Sequence, residues 1–146
     1  MSILKTKNID FIVAPYESDS QLAKLKFLGI VDAVVTEDSD LLVYGINSIF
    51  KLTEEGECDY IDLSKCSPEE VGSESLRKFI EMEQSERMIA CILAGCDYLP
   101  SIRGIGIKKA IKFMDSDKDI FGVVEKIRAE KQFTEKVPEN YEVKLL

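Results

Sequence analysis

Two matched pairs of acids, Glu17 with Asp19 and Asp38 with Asp40, are the residues in this chain best suited to do chemistry, and Asp97 in Gly95-Cys96-Asp97-Tyr98 is a fifth candidate. Each pair directly follows an apolar, β-branched run, Ile9–Ala14 for the first and Val31–Val35 for the second. Acids spaced i and i+2 in an extended segment project from one side, so each pair can address a shared point. The carboxyl ends of strands in a parallel sheet are where ligands collect. Such a cluster repels itself unless a cation sits within it. Oxygen-only ligation suits Mg²⁺ or Mn²⁺, hard ions that also take phosphate oxygens. A plainer role is open to each pair taken alone. Glu17 and Asp19 fall in the first turn of a predicted helix, where acids face the helix dipole favourably, and Asp38 can cap a turn.

Other chemistries are narrowed by what the chain does not carry. It has no histidine, which removes Ser-His-Asp and Cys-His catalysis and the imidazole ligands of common zinc sites. Cys58, Cys66, Cys91 and Cys96 show no CxxC spacing and read as reduced thiols. No apolar run approaches the roughly 20 residues of a membrane span, and no membrane partner is expected.

The net charge of -8 argues at first against nucleic acid, but its distribution matters more. From Ser101 to Met114 the chain carries Arg103, Lys108, Lys109 and Lys112 with no acid. Within this basic stretch Gly104 and Gly106 permit a tight turn whose backbone N–H groups can approach a phosphate, and the next helix adds its positive end. The predicted DNA-binding residues are therefore Arg103, Gly104, Gly106, Lys108 and Lys109, and their contacts would read no sequence. An ordinary turn between packed helices explains the glycines equally well.

These residues need elements to hold them. With 146 residues and 45% hydrophobic content, the chain can bury a real core. Ile9–Ala14 reads as a strand buried on both faces, Leu22, Leu25 and Leu28 as a helix stopped by Gly29, and Val31–Val35 as a second strand. Leu41–Tyr44 and Ser48–Leu52 read as short extended pieces, and Asp59–Leu63 as the closing half of a hairpin after Glu54-Glu55-Gly56. Pro68–Ser73 is a polar connection. Met88, Ile89, Ile92 and Leu93 predict a helix ending near Gly95, Lys108–Met114 a second, and Ile120, Val123, Val124 and Ile127 a last one. The expected fold class is α/β, a parallel sheet followed by helix, glycine hairpin, helix. The expected division is 1–98 and 99–146, packed as one domain.

Ala14-Pro15-Tyr16-Glu17-Ser18-Asp19-Ser20-Gln21-Leu22, Thr36-Glu37-Asp38-Ser39-Asp40-Leu41-Leu42, and Gly95-Cys96-Asp97-Tyr98-Leu99 through Gly104-Ile105-Gly106 together resemble the xeroderma pigmentosum G type 5′ nucleases, the family of flap endonuclease and exonuclease 1. The Glu-Asp-Ser-Asp-Leu-Leu string and the Gly-Cys-Asp-Tyr-Leu form are more similar to the exonuclease 1 branch. The likeness runs from about Ile9 to Tyr141 and is weakest between Glu54 and Glu86.

This resemblance implies a partial PIN-like nuclease core with a helix-hairpin-helix region, hydrolysing DNA phosphodiesters in repair by a two-metal mechanism. It implies that Glu17, Asp19, Asp38, Asp40 and Asp97 are catalytic and hold two Mg²⁺ (or Mn²⁺) ions, directly or through water. It also implies a K⁺ ion at the main-chain oxygens of Ser101 and Ile105, although Ala94 stands where relatives often have a hydroxyl. The partner it implies is duplex DNA with a 5′ end, flap or nick, alongside other repair proteins, and the location is the nucleus. The family's core begins with an N-terminal segment carrying two further metal-binding aspartates and basic residues. This sequence opens after that point, so it reads as a fragment with no activity of its own. A catalytically silent DNA-binding module and a PIN-like ribonuclease are the competing readings.

Overall fold

The structure, a computed structural model, describes residues 2–96, 99–139 and 141. It divides into two compact units, Met1–Ile61 and Asp62–Leu146. The expected boundary after Tyr98 falls inside the second.

In the first unit, α1 (Ser2–Thr6) and α2 (Ser18–Phe27) precede β1 (Val34–Val35), α3 (Asp40–Val43), β2 (Ser48–Phe50) and β3 (Asp59–Ile61). The sheet order is β1-β2-β3, with β1 parallel to β2 and β2 antiparallel to β3. Val34 lies opposite Ser48, and Ile49 opposite Tyr60. The parallel pairing and the closing hairpin are as the sequence reads. Ala23, Val34, Leu41 and Ile46 form the core, with Leu22, Val31 and Tyr44 packed against it.

Two expected strands are corrected. Leu41–Tyr44 is helical, not extended, because a glycine end cap is available to it. The Gly45 N–H bonds the Leu42 carbonyl at 3.0 Å, the Ile46 N–H reaches back to Leu41 at 3.0 Å, and buried Leu41 and Ile46 flank the turn. Gly45 adopts the left-handed φ of 78° that this ending requires. Ile9–Ala14 pairs with no strand among the described residues, and Ile12 and Val13 are each 61% exposed. An apolar run becomes a buried strand only where neighbouring strands and covering faces exist for it.

The second unit is helical: α4 (Glu74–Glu81), α5 (Gln84–Ala94), α6 (Ile107–Ser116) and α7 (Ile120–Ala129), after 3₁₀ turns at Leu63–Lys65 and Pro68–Glu70. The reading of Pro68–Ser73 as plain connection therefore misses a turn, and α4 was not anticipated. Its start is marked by Ser73, whose hydroxyl accepts from the Leu76 N–H. A capping box between Glu83 and Glu86 opens α5. Glu86 is buried, and Lys118 at 2.8 Å, with the Glu83 N–H, holds its carboxyl below the usual range. Helix α5 packs on α6, and α6 on α7. Ala90, Leu93, Ile102, Ile105, Ala110, Ile111, Val123, Val124, Ile127, Phe133 and Tyr141 make one continuous core. No helix among the described residues is long and apolar enough to cross a membrane.

Tyr141 is fully buried, and its hydroxyl has no hydrogen-bond partner among the described residues. Burial, with a smaller contribution from Cys96, pushes its phenol from 10.0 up to about 12. The folded chain keeps this proton where the unfolded chain loses it. Stability from Tyr141 is therefore complete below pH 10 and lost as pH rises through about 12. Tyr141→Phe is expected to remain within about 1 kcal/mol of wild type at pH 7 and to gain relative to it at pH 11 in urea melts. An unchanged difference between the two pH values would show that Tyr141 ionises equally in both states.

Candidate functional site

The loop leaving β1 is fastened from several sides, and Asp38 and Asp40 stand on it. The Thr36 N–H bonds the Ile49 carbonyl of β2 at 3.0 Å, continuing the ladder one residue past β1. Thr36 Oγ1 accepts from the Asp38 N–H at 2.9 Å. Glu37 Oε1 accepts from the Lys51 N–H at 3.0 Å, which ties the loop to the end of β2. Asp38 Oδ1 then accepts from the Asp40 N–H at 2.9 Å, where α3 begins. Thr36 and Glu37 are thus positioning residues that the sequence reading passed over. The Thr-Glu-Asp string was read for its acids, and no sequence signal identified Lys51 as the partner of Glu37.

Glu17 is the N-cap residue of α2, with extended backbone and no capping bond from its own side chain, and Asp19 lies in the first helical turn. The geometry of two extended i, i+2 pairs gives way to acids at the openings of two helices, which for Glu17 and Asp19 is the alternative the sequence also offered. These acids sit at helix N-termini, where the dipole favours negative charge. Helices α2 and α3 pack together through the Ala23 and Leu41 core. Glu17, Asp38 and Asp40 are exposed and Asp19 is half-buried.

As a donor set these oxygens match the chemistry of Mg²⁺. Among the described residues, however, no three acids or cysteines converge closely enough to hold a metal ion. Asp97 lies outside the described residues, and its expected place with the others is not described.

In the second unit the glycine hairpin stands as the sequence reads it, between α5 and α6. Ile102 and Ile105 point into the core, 0% and 4% exposed, which turns Arg103, Gly104 and Gly106 outward. The Ile105 N–H closes the turn on the Ile102 carbonyl at 2.9 Å, and Gly104 takes a left-handed φ of 95°. Gly106 is the N-cap of α6. Ser101, Lys108 and Lys109 are exposed, while Ile105 is buried by its side chain. Lys109 differs from Lys108 in having internal partners: its ammonium donates to the Gly104 carbonyl at 2.7 Å and lies 5.1 Å from the centre of the Phe133 ring.

An acid pair opens each of two helices beside a small mixed sheet, and a basic glycine hairpin follows between helices later in the chain. Flap endonuclease-1 from Methanococcus jannaschii has this fold: it superposes with a TM-score of 0.67 at 26% identity, over 98% of this chain and 40% of that one. A Holliday junction-resolving enzyme in complex with product DNA and Mg²⁺ shares the fold at 20% identity, with a TM-score of 0.65 over 95% of this chain and 38% of that one. The XPG I-region family model matches residues 8–97. Exonuclease 1 of Danio rerio is 40% identical over 143 residues, 94% of this chain and 17% of that protein. Flap endonuclease 1 of Drosophila willistoni is 35% identical over 143 residues, 98% of this chain and 35% of that protein. The chain belongs to the XPG I-region family. It spans well under half the length of these curated relatives.

Proposed function

We propose that this chain is the carboxylate-bearing and backbone-gripping part of a Mg²⁺-dependent, structure-specific 5′ nuclease of exonuclease 1 type, acting on DNA in repair. The observation that carries this reading is the fastened Thr36–Asp40 loop, which fixes two acids at the end of β1 in a chain of the XPG I-region family. Glu17, Asp19, Asp38 and Asp40 are assigned as oxygen donors to the metal, and Asp97 joins them by its motif alone. When bound, the two ions supply Lewis acidity at the phosphate. Thr36, Glu37 and the Asp40 N–H hold the Asp38 carboxylate in one orientation. Arg103, Lys108 and the backbone of Gly104–Gly106 take the DNA backbone of a duplex end, flap or nick, without reading sequence. A K⁺ ion at the Ser101 and Ile105 carbonyls and a nuclear location are further parts of the proposal.

A catalytically silent DNA-binding module is the second reading, favoured by the absence of a three-acid cluster among the described residues. Both are tested in Danio rerio exonuclease 1 with its matching segment replaced by this chain. The chimera is expected to cut 5′-flap DNA in Mg²⁺, to stop in EDTA, and to leave single-stranded RNA intact. DNA binding without cutting would favour the silent module. Cutting of the RNA as fast as the DNA would favour a PIN-like ribonuclease.

A further inference from the structure

The basic hairpin does not use its two adjacent lysines alike. The geometry points to Lys109 as a positioning residue, one that locks the Gly104 turn from the first turn of α6 and leaves Lys108 as the lysine that meets phosphate; this rests on the DNA-grip reading above. The Lys109 ammonium donates to the Gly104 carbonyl at 2.7 Å, five residues back along the chain. The same ammonium lies 5.1 Å from the centre of the Phe133 ring, within the range over which a cation is attracted to an aromatic face. The Lys136 ammonium lies at 5.4 Å from that centre, so the ring meets two cations.

Phe133 is itself held firmly. It is 2% exposed and meets Phe113 of α6 edge to face, centroids 6.3 Å apart. The Phe133 N–H bonds the Glu130 carbonyl at 2.8 Å, and the Phe133 carbonyl accepts from the Lys136 N–H at 2.8 Å. The space beside Gly104 is bounded by this ring: a Cβ built there would stand 3.4 Å from Phe133 Cε1, on a backbone already at φ 95°. The hairpin is therefore clamped between its own α6 lysine and an aromatic buttress supplied by the segment after α7. A lysine already bound to a carbonyl and a ring has fewer N–H groups and less reach to offer a phosphate, whereas Lys108 has no such internal contact among the described residues. What Lys109 contributes to binding is a turn whose backbone N–H groups are already in place, which reduces the ordering required when DNA arrives.

The experiment uses the 146-residue chain and its variants Lys108→Ala, Lys109→Met and Lys109→Arg. Three readouts are taken: amide hydrogen exchange at Gly104–Gly106 without DNA, the melting temperature, and the salt dependence of binding to a duplex with a 5′ end. Methionine keeps an alkyl stem over the ring and removes the charge. Lys109→Met is expected to speed exchange at the hairpin by about tenfold while the melting temperature holds, because the opening is local. It should weaken DNA binding without changing the slope of log affinity against log salt, and Lys109→Arg should restore both. Lys108→Ala should leave exchange alone and lower that slope by about 0.9. A slope lowered equally by Lys109→Met, with exchange unchanged, would overturn the clamp. No salt-dependent binding by the wild-type chain would instead overturn the DNA grip, and the exchange readout would still judge the clamp by itself.

Discussion

Replacing Asp38 or Asp40 with alanine in the Danio rerio chimera is expected to lower cleavage of 5′-flap DNA by at least about a hundredfold, the scale on which loss of a preorganised charged group acts. Binding to the same DNA in Ca²⁺ should change little, because phosphate contacts elsewhere position the duplex. Alanine alone cannot separate the two roles open to Asp38, since its Oδ1 also accepts the Asp40 N–H at 2.9 Å and opens α3. Losing such a side-chain-to-backbone bond costs about 1 kcal/mol and would loosen the loop. Asparagine separates them: Asp38→Asn keeps a carbonyl oxygen able to accept that N–H but removes the negative charge. The metal-ligand reading requires Asp38→Asn to be nearly as damaging as Asp38→Ala. If the asparagine variant cuts within about threefold of wild type while alanine does not, Asp38 serves only to hold the turn through the Asp40 N–H and the metal assignment fails.

The hairpin was the most legible part of this molecule. Ile102 and Ile105 flank Arg103-Gly104, so their burial turns the basic and glycine residues outward, and the apolar spacing of α5 and α7 gave both helices nearly to their ends. The acids were legible as residue types and by their place after β-branched runs, and the helix opening at Glu17 and Asp19 was one of two geometries the sequence offered for that pair. For Asp38 and Asp40 the extended alternation missed that the segment opens a short helix. The signal for α3 was present in Gly45 followed by Ile46, an end-cap pair, and it was outweighed by the apolar look of Leu41–Tyr44. Ile9–Ala14 shows a different limit. Apolar character states that a segment wants cover, and strand formation depends on a partner that a one-dimensional pattern does not contain. The tie from Glu37 to the Lys51 N–H, 14 residues apart, was invisible for the same reason.

The chain by itself is expected to cut no DNA above background, whereas the same segment within the chimera should cut. The first ground is the acid set: no three of the described acids converge on a point where a metal ion could be held. Two-metal hydrolysis needs both ions clamped against the phosphate, and a pair of acids on each of two helices holds an ion only weakly. The second ground is the surface of the first unit. Ile9, Ile12, Val13 and Val35 are each more than half exposed, and β1 is an edge strand of a three-stranded sheet. Exposed apolar side chains and an unpaired strand edge each favour association over a single fixed arrangement, so the isolated chain should sediment as concentration-dependent oligomers. In the chimera the surrounding protein can cover that edge and complete the acid set. The comparison is made with a labelled 5′-flap DNA in Mg²⁺, using the isolated chain, the chimera, and both again carrying Asp40→Ala to expose contaminating nuclease. Cutting by the isolated chain that disappears with Asp40→Ala would show that its own carboxylates suffice.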